Sequence, residues 1–518
     1  MLLPAFGDDL RERPTEPEVE QTRIANDAPR QRQESRTFRP KSAEEQRDGA
    51  NGDENRHALA NRIEERVDHQ PVSWLRERGQ RFGLFHMVRF RKGRAPEHGK
   101  NWCIALLSLH HAGVSRARPL LSSPLAPHPT DVSHLVKVAI AHDWLVTLGG
   151  SELVLRELLR IFPGATVFTL IDKMAEPDRA FVGVARTRTS FLDRVPGVAS
   201  TYRRLLPLFP VAMSRLDLGE FDVVISNSHA IAKGVRTRSH QLHVCYCLSP
   251  MRYAWDLRDQ YLKESGLARG IRGYAANRVL DRLQRWDRAN TSRVDSFVTL
   301  SRYIADRIER AYGRRATVIH PPVDVDYFDF DDSRRPGSGD YYFTMSRFVP
   351  YKRIDLIAGA FAQLPDRRLV IAGTGPDAQK IRAAAGRNVE LVGRVERDEA
   401  RRLLGGARAF LFAAEEDFGI APVESQARGV PVIAYARGGA LETVRGLDHN
   451  APTGVFFDEQ SEASIACAVR QFEANAHRIA PIACRANAER FAEHVFRDEF
   501  SSFVEREWQS FQVRRPRA

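Results

Sequence analysis

Glu416 and Glu424 lie eight positions apart in the stretch Ala409-Phe-Leu-Phe-Ala-Ala-Glu-Glu-Asp-Phe-Gly-Ile-Ala-Pro-Val-Glu424. A strand-like apolar run ends there in acidic residues. Gly419 then permits a tight turn, Pro422 suits the first turn of a helix, and Gly429 with Pro431 ends that helix. Glu416 is therefore expected before the helix and Glu424 early within it. Two carboxylates so placed can accept hydroxyls from two separate parts of one ligand, while the helix N-terminus between them faces phosphate. A solvated acidic loop followed by an ordinary helix glutamate explains the same spacing.

Positive charge follows another strand, in Ser346-Arg347-Phe-Val-Pro-Tyr-Lys352-Arg353. Arg347 offers a planar fork and Lys352 a point charge, the two groups that a diphosphate leaving group calls for. Arg353, a neighbour on the other face, reads as solvated. Gly149-Gly150 opens a helix and allows close backbone approach at its positive end. His229, in Ser226-Asn-Ser-His-Ala-Ile-Ala-Lys-Gly234, follows a further strand, where a single histidine serves structure as readily as chemistry.

The passage around Glu416 resembles the Glu-x7-Glu motif of family 4 glycosyltransferases, which adopt the GT-B fold and retain anomeric configuration. The likeness continues through Gly429-Val-Pro-Val-Ile-Ala434 and Arg437-Gly-Gly-Ala-Leu-Glu-Thr-Val444, and it covers essentially residues 135 to 510. The resemblance implies that Glu416 hydrogen-bonds the transferred sugar, that Phe418 and Gly419 offer backbone amides to its hydroxyls, and that Glu424 binds the ribose. It gives Arg347 and Lys352 to the diphosphate. Gly149 and Gly150, in the form Asp143-Trp-Leu followed by Gly-Gly-Ser-Glu152, lie across the cleft, and His229 is brought to the cleft to contact the sugar or orient its carbonyl-bearing loop, rather than to abstract a proton. Glu416, Arg347, Lys352 and His229 are thus the expected catalytic set, with His142, Asp143 and Arg252 on the acceptor side. Tyr253 and Trp255 either line an acceptor channel or belong to the core. The stretch His243 to Asp256 is similar to bacterial enzymes that build cell-surface polysaccharides, many of them mannosyltransferases, which points to GDP-mannose as donor and a lipid-linked or envelope glycan as acceptor. The family manages the diphosphate without a metal, so neither metal nor cofactor is expected.

The elements that must hold these residues read as α/β, a GT-B arrangement of two doubly wound Rossmann-like domains facing a central cleft. In the first, from 135 to 335, strands are expected at Val136 to Ala141, Thr166 to Leu170, Phe221 to Ser226, His243 to Cys247 and Ser296 to Leu300. The second, from 336 to 484, follows the polar linker Asp331 to Gly339. Its strands are expected at Tyr341 to Ser346, Arg368 to Ala372, Val389 to Val392, Ala409 to Phe412 and Pro431 to Ala434. Residues 485 to 518 read as a terminal helix or two, rich in aromatics and packing back across the domain junction. Residues 1 to 134 are polar and without sustained period, the composition of a disordered extension.

Hydrophobic residues make up 43% of the chain and the formal net charge is +12, so the protein is expected to form real cores and to attract acidic partners. No apolar run approaches the ~20 residues that span a bilayer, and the first residues lack the order of a secretory signal. Five cysteines without metal-ligand spacing suit a reducing compartment, and Cys245 and Cys247 read as small core residues on one strand face. A cytoplasmic protein is expected, peripheral on the inner face of the membrane if Tyr202 to Arg215, basic and bulky, meets anionic lipid. Gly373-Thr-Gly375 lacks the third glycine of a dinucleotide fingerprint and is followed by Pro376. Asp324-Val-Asp326 mimics a metal motif but follows Pro321-Pro322 in a turn. Two other readings stand beside the transferase. A nucleotide-sugar 2-epimerase would share the architecture and need further acid/base groups. A nonenzymatic nucleic-acid-binding protein is prompted by the charge alone, which anionic substrates and lipid explain more economically.

Overall fold

The computed structural model describes residues 136–514, except 265, 268, 329 and 331–338. The expected extension up to residue 134 lies outside the described residues, as do most of the linker and the bound drawn at 335/336.

Seven strands form the first sheet: β1 (Val138–His142), β2 (Thr166–Thr169), β3 (Thr187–Thr189), β4 (Val223–Ser228), β5 (Leu242–Cys247), β6 (Ser296–Thr299) and β7 (Ala316–Val318). They lie in the order β3-β2-β1-β4-β5-β6-β7 and pair in parallel throughout. The second sheet comprises β8 (Tyr341–Met345), β9 (Leu369–Ala372), β10 (Val389–Gly393), β11 (Ala407–Phe412), β12 (Val432–Tyr435) and β13 (Gly454–Phe457), in the order β10-β9-β8-β11-β12-β13 and again parallel. Helices cover both faces, which is why the central strands are apolar runs rather than alternating ones. On β1, Val138 and Ile140 enter one apolar cluster while Ala139 and Ala141 enter another on the opposite face.

The inner strands were legible as apolar runs, but β3, β7 and β13 were not anticipated. β3 and β7 are three-residue edge strands with exposed or half-buried side chains, too short for a periodic signal. β13 also lies at a sheet edge and spans only four residues.

Four helices bear on the junction of the two domains: α1 (Gly150–Ile161), α2 (Arg302–Tyr312), α3 (Ile420–Ala427) and α4 (Glu493–Arg514). The helix expected from Arg485 begins earlier, at Pro481, because proline is suited to a first helical turn; it ends at Ala488. α4 then crosses to the first domain. The rings of Phe496 and Phe500 stand 5.7 and 5.9 Å from Tyr246 of β5, whose hydroxyl donates to the Ile319 carbonyl at 2.9 Å. Glu493 pairs with Arg156 and Arg160 of α1, and Arg497 with Glu157. A bridge between Val323 and Ala492 adds backbone pairing where the chain crosses. One apolar cluster consequently runs from the first sheet through α4 into the second.

Phe500 is fully buried in that cluster. Replacing it with alanine should destabilise the fold by about 3–5 kcal/mol in urea unfolding, the cost of deleting a large ring from a packed core. A loss below about 1 kcal/mol, the size of a surface change, would show that α4 does not seal the first domain.

Candidate active site

Chain order reverses direction between β1 and β4 in the first sheet and between β8 and β11 in the second. Crevices form at such switch points, outside the carboxyl ends of the strands. Residues following all four strands open onto one cleft of about 990 Å³, lined by both domains.

The second-domain wall joins the two segments singled out from sequence. The Lys352 ammonium, after β8, forms an ion pair with the Glu416 carboxylate, after β11, and both side chains are about one-fifth exposed. Arg347 lines the same wall. Arg353 turns away into a left-handed conformation with φ of 52° and sits 3.5 Å from Asp355.

Two pairs of glycines set these loops. A Cβ on Gly373 would lie 1.8 Å from the Ser346 carbonyl oxygen, and one on Gly375 would lie 2.5 Å from that of Phe348. Phe348 N donates to the Thr374 carbonyl at 2.7 Å. Gly373-Thr-Gly375 therefore clasps the loop that carries Arg347, and its likeness to a dinucleotide motif has this packing cause. Behind Glu416, a Cβ on Gly438 would meet the Glu416 oxygen at 2.3 Å and one on Gly439 the Phe418 Cα at 2.3 Å. Gly439 N donates to the Glu416 carbonyl at 2.8 Å.

Gly419, with φ of 89°, then N-caps α3 without any side-chain cap, leaving Phe418, Gly419 and the first helical amides at the cleft. Glu424 lines the cleft one turn further on. Burial pushes its carboxyl from 4.5 up to about 7; Arg397 opposes the rise and Asp324 adds to it.

The first-domain wall begins with Gly149, the N-cap of α1, likewise without a side-chain cap. Gly150 follows it into the cleft, and a Cβ there would be 3.6 Å from Ile420 Cδ1, the first residue of α3. Two helix N-termini thus face each other, a partial positive charge from each side. The His229 ring, about a third exposed, lines the cleft with Trp144 edge-on at 4.7 Å. Its Nδ1 lies 3.0 Å from Asp143 Oδ2. Burial lowers the imidazole pKa, but Asp143 above all and Glu152 raise it further than burial and Arg252 lower it, so the net shift is upward.

His142 and Asp143 do not face the cleft as expected. Both are fully buried beneath its floor. The Asp143 carboxylate accepts four backbone N–H groups, from His229 at 2.7 Å, Ala230 at 3.0 Å, and Ile231 and Ala232 at 2.6 Å. Burial alone would raise its pKa, yet His229 and these bonds hold it well below the usual carboxylate range. His142 Nε2 stands 3.1 Å from Glu152 Oε1, and its Nδ1 stands 3.3 Å from Asn227 Nδ2. Arg252 and Tyr253 do line the cleft. Trp255 instead donates Nε1–H to Asp287 at 2.9 Å, inside a nest where the fully buried Lys233 ammonium lies 2.6 Å from Asp287. Cys245 and Cys247 are buried on β5, as expected of core residues.

Sequence reasoning missed Asp417. It is ion-paired to Arg252, with Arg307 Nη1 of α2 at 3.1 Å. An acidic residue beside Glu416 carried no mark of its own, and Arg307 sits in an ordinary amphipathic helix. Among the described residues no three His, Cys, Asp or Glu side chains are grouped to hold a metal ion. Asp324 and Asp326 are drawn instead to Arg397 and Arg485, at 2.6 and 3.5 Å.

Residues 148–327 match the family model Glycosyltransferase Family 4, and residues 327–491 match Glycosyl transferases group 1. The chain is 32% identical over 199 residues to a GDP-mannose-dependent monoacylated alpha-(1-6)-phosphatidylinositol monomannoside mannosyltransferase of Corynebacterium glutamicum, covering 33% of this chain and 52% of that protein. It is 33% identical over 218 residues to a GDP-mannose-dependent alpha-(1-6)-phosphatidylinositol monomannoside mannosyltransferase of Mycolicibacterium smegmatis, covering 37% and 56%. The matched stretch spans about half the length of these relatives. In fold, the chain is similar to HepE of Anabaena in complex with UDP and glucose, with a TM-score of 0.52 at 16% identity over 71% of this chain and 99% of that one. A sucrose-phosphate synthase from Thermosynechococcus elongatus gives 0.53 at 16% identity, over 72% and 100%.

Glu424 provides a test that needs no ligand. With its pKa raised above the unfolded value, its contribution to stability is complete below pH 4.5 and is lost as the pH rises through about 7. The difference in melting temperature between Glu424→Gln and the wild type should grow in favour of the variant across that window. A constant difference would mean that the carboxyl ionises normally.

Proposed function

We propose that this chain, which belongs to the glycosyltransferases built from a family 4 domain and a group 1 domain, transfers a hexose with retention from a nucleoside diphosphate sugar to a hydroxyl of a lipid-linked or cell-envelope glycan. The observation that carries this reading is the Lys352–Glu416 ion pair at the second switch point, beside Arg347 and opposite the N-terminus of α1. Here the cation and the carboxylate neutralise each other. A donor satisfies both at once, its diphosphate drawing Lys352 and a sugar hydroxyl donating to Glu416.

In the proposed reaction the bond between the anomeric carbon and the diphosphate oxygen breaks. The acceptor oxygen bonds to that carbon on the same face, and its proton passes to the departing phosphate oxygen. Charge therefore accumulates on the diphosphate, where Arg347, Lys352 and the uncapped amides of α1 at Gly150 are already oriented. His229, held through Nδ1 by Asp143, turns its other edge to the sugar or its phosphate. Phe418 and Gly419 present main-chain donors to sugar hydroxyls, and Glu424, further along α3, takes the ribose. Cations and helix ends do the work at the diphosphate, with no metal in the scheme.

GDP-mannose is the proposed donor. The two mannosyltransferase relatives are named as GDP-mannose-dependent, and an inositol-containing acceptor is in keeping with their names. No helix among the described residues is long and apolar enough to cross a membrane. Reaching a lipid-linked acceptor then falls to a surface, and Leu208 and Val211 are 46% and 45% exposed in the segment that also carries Arg204 and Arg215. The Arg215 guanidinium lies 5.6 Å over the exposed Phe191 ring. Such a mixed apolar and basic patch suits the anionic inner face of a membrane.

Thermal-shift measurements should show stabilisation by GDP or GDP-mannose exceeding that by UDP-sugars, and Glu424→Ala should lose most of it; no stabilisation of the wild type by any nucleotide would sink the reading. Incubation with GDP-mannose alone should leave the sugar unepimerised. In flotation with vesicles containing anionic lipid, the wild type should float and Leu208→Asp/Val211→Asp should stay at the bottom. A wild type that never floats removes the membrane assignment while leaving the chemistry intact.

A further inference from the structure

Three acidic side chains of the second domain reach into the first, and they flank or support the loop that carries Glu416. Asp417 pairs with Arg252, and its Oδ1 is 3.1 Å from Arg307 Nη1. Its main-chain carbonyl accepts Ser301 Oγ at 2.6 Å. Glu415 accepts the Tyr303 hydroxyl at 2.8 Å. Glu442 follows closely on Gly438-Gly439 and receives the first amides of α2, Arg302 N at 3.0 Å and Tyr303 N at 3.2 Å. It supplies from another domain the carboxylate that favours a helix N-terminus.

The side chains of 415 to 417 are thus divided. Glu416 turns to Lys352 in its own domain, while those on either side of it are held by the other domain. Arg307 is only 5% exposed and is also bound by Asp256, so its guanidinium is fixed before it meets Asp417. Asp417 itself is 12% exposed. A surface salt bridge would carry little weight, but a charge this buried has no solvent to replace its partner.

We propose that Asp417 is a positioning residue that couples docking of the first domain to the placement of Glu416, so that the sugar site is completed only when the two domains are closed on each other. The proposal rests on the transferase reading. It assigns Asp417 no contact with substrate. Asp417 borders the cleft, but its two carboxylate oxygens are engaged by Arg252 and Arg307, and its effect passes through the single peptide unit that joins it to Glu416. Separation of the domains would release Asp417 and Glu415 together and free the loop on its junction side. The side packed against Gly438 and Gly439 stays within the second domain and would hold.

Asp417→Asn preserves shape and removes the charge. It should bind GDP within about threefold of wild type, because Glu424, Arg347 and Lys352 all stand in the second domain and only the α1 amides reach the diphosphate from the first, while kcat falls at least about tenfold from the misplaced reacting geometry. X-ray scattering with GDP bound should give a larger radius of gyration for the variant than for the wild type. Arg307→Gln, which removes a partner that does not line the cleft, should lower kcat comparably, and the double variant should fall no further than either single one. A kcat within about twofold of wild type, an equal loss of GDP affinity and turnover, or additive losses would each overturn the proposal. If the wild type turns over no nucleotide sugar, the transferase reading fails on its own account. Scattering then decides the coupling, and equal radii for variant and wild type would refute it.

Discussion

Backbone lies directly on backbone behind Glu416. Gly438 and Gly439 leave no room for a Cβ against residues 416 to 418, and Gly373 and Gly375 do the same against residues 346 to 348. At these distances even one methyl group would move a loop, so the side chains that the loops carry are placed by the absence of atoms as much as by any bond. Gly373 and Gly438 also sit at φ of 140° and 66°, where other residues are strained. The ion pair of Lys352 and Glu416 is the outcome: two groups from neighbouring strand ends, brought together by glycines that contribute nothing chemical.

The first domain reaches a comparable rigidity by the opposite means, burying charge. Asp143 spends both carboxylate oxygens on four amides of the 229–232 loop, and Lys233 at the end of that loop is buried against Asp287, which also accepts from Trp255 and Tyr312. Removing one partner of such a pair typically costs about 3–5 kcal/mol, since the other charge remains buried without compensation. His229 reaches the cleft from a loop anchored at both ends.

These two devices meet at the domain junction, where the acidic residues around Glu416 are answered by cations and helix amides of the first domain. The net charge of +12 leaves a surplus of cations overall. Locally, Lys352 and Arg252 in the cleft and Arg307 behind it are each set against a carboxylate. α4 keeps the two walls of the cleft part of one apolar core.

Much of this was legible in the sequence, for a local reason. A buried parallel strand must be apolar along its length, so the first polar residues after it mark the sheet's carboxyl edge; Arg347, Glu416 and His229 stand there, but only the resemblance to family 4 glycosyltransferases singled them out. The glycine and proline that bound α3 were equally local. Edge strands of three or four residues carry too little pattern, and β3, β7 and β13 went unread. What the sequence could not decide was which polar residue at an edge faces ligand and which faces protein. His142 ends β1 and Asp143 follows it, as His229 follows β4, yet the first two are buried and only the third emerges, because the 229–232 loop folds over Asp143. Asp417 and Arg307 are 110 positions apart and meet only where the two domains are set against each other. Strand ends and their chemistry were determined by the chain alone. The division of those residues into ligand-facing and protein-facing belongs to the tertiary structure, since burial is a property of what covers a residue and not of the residue.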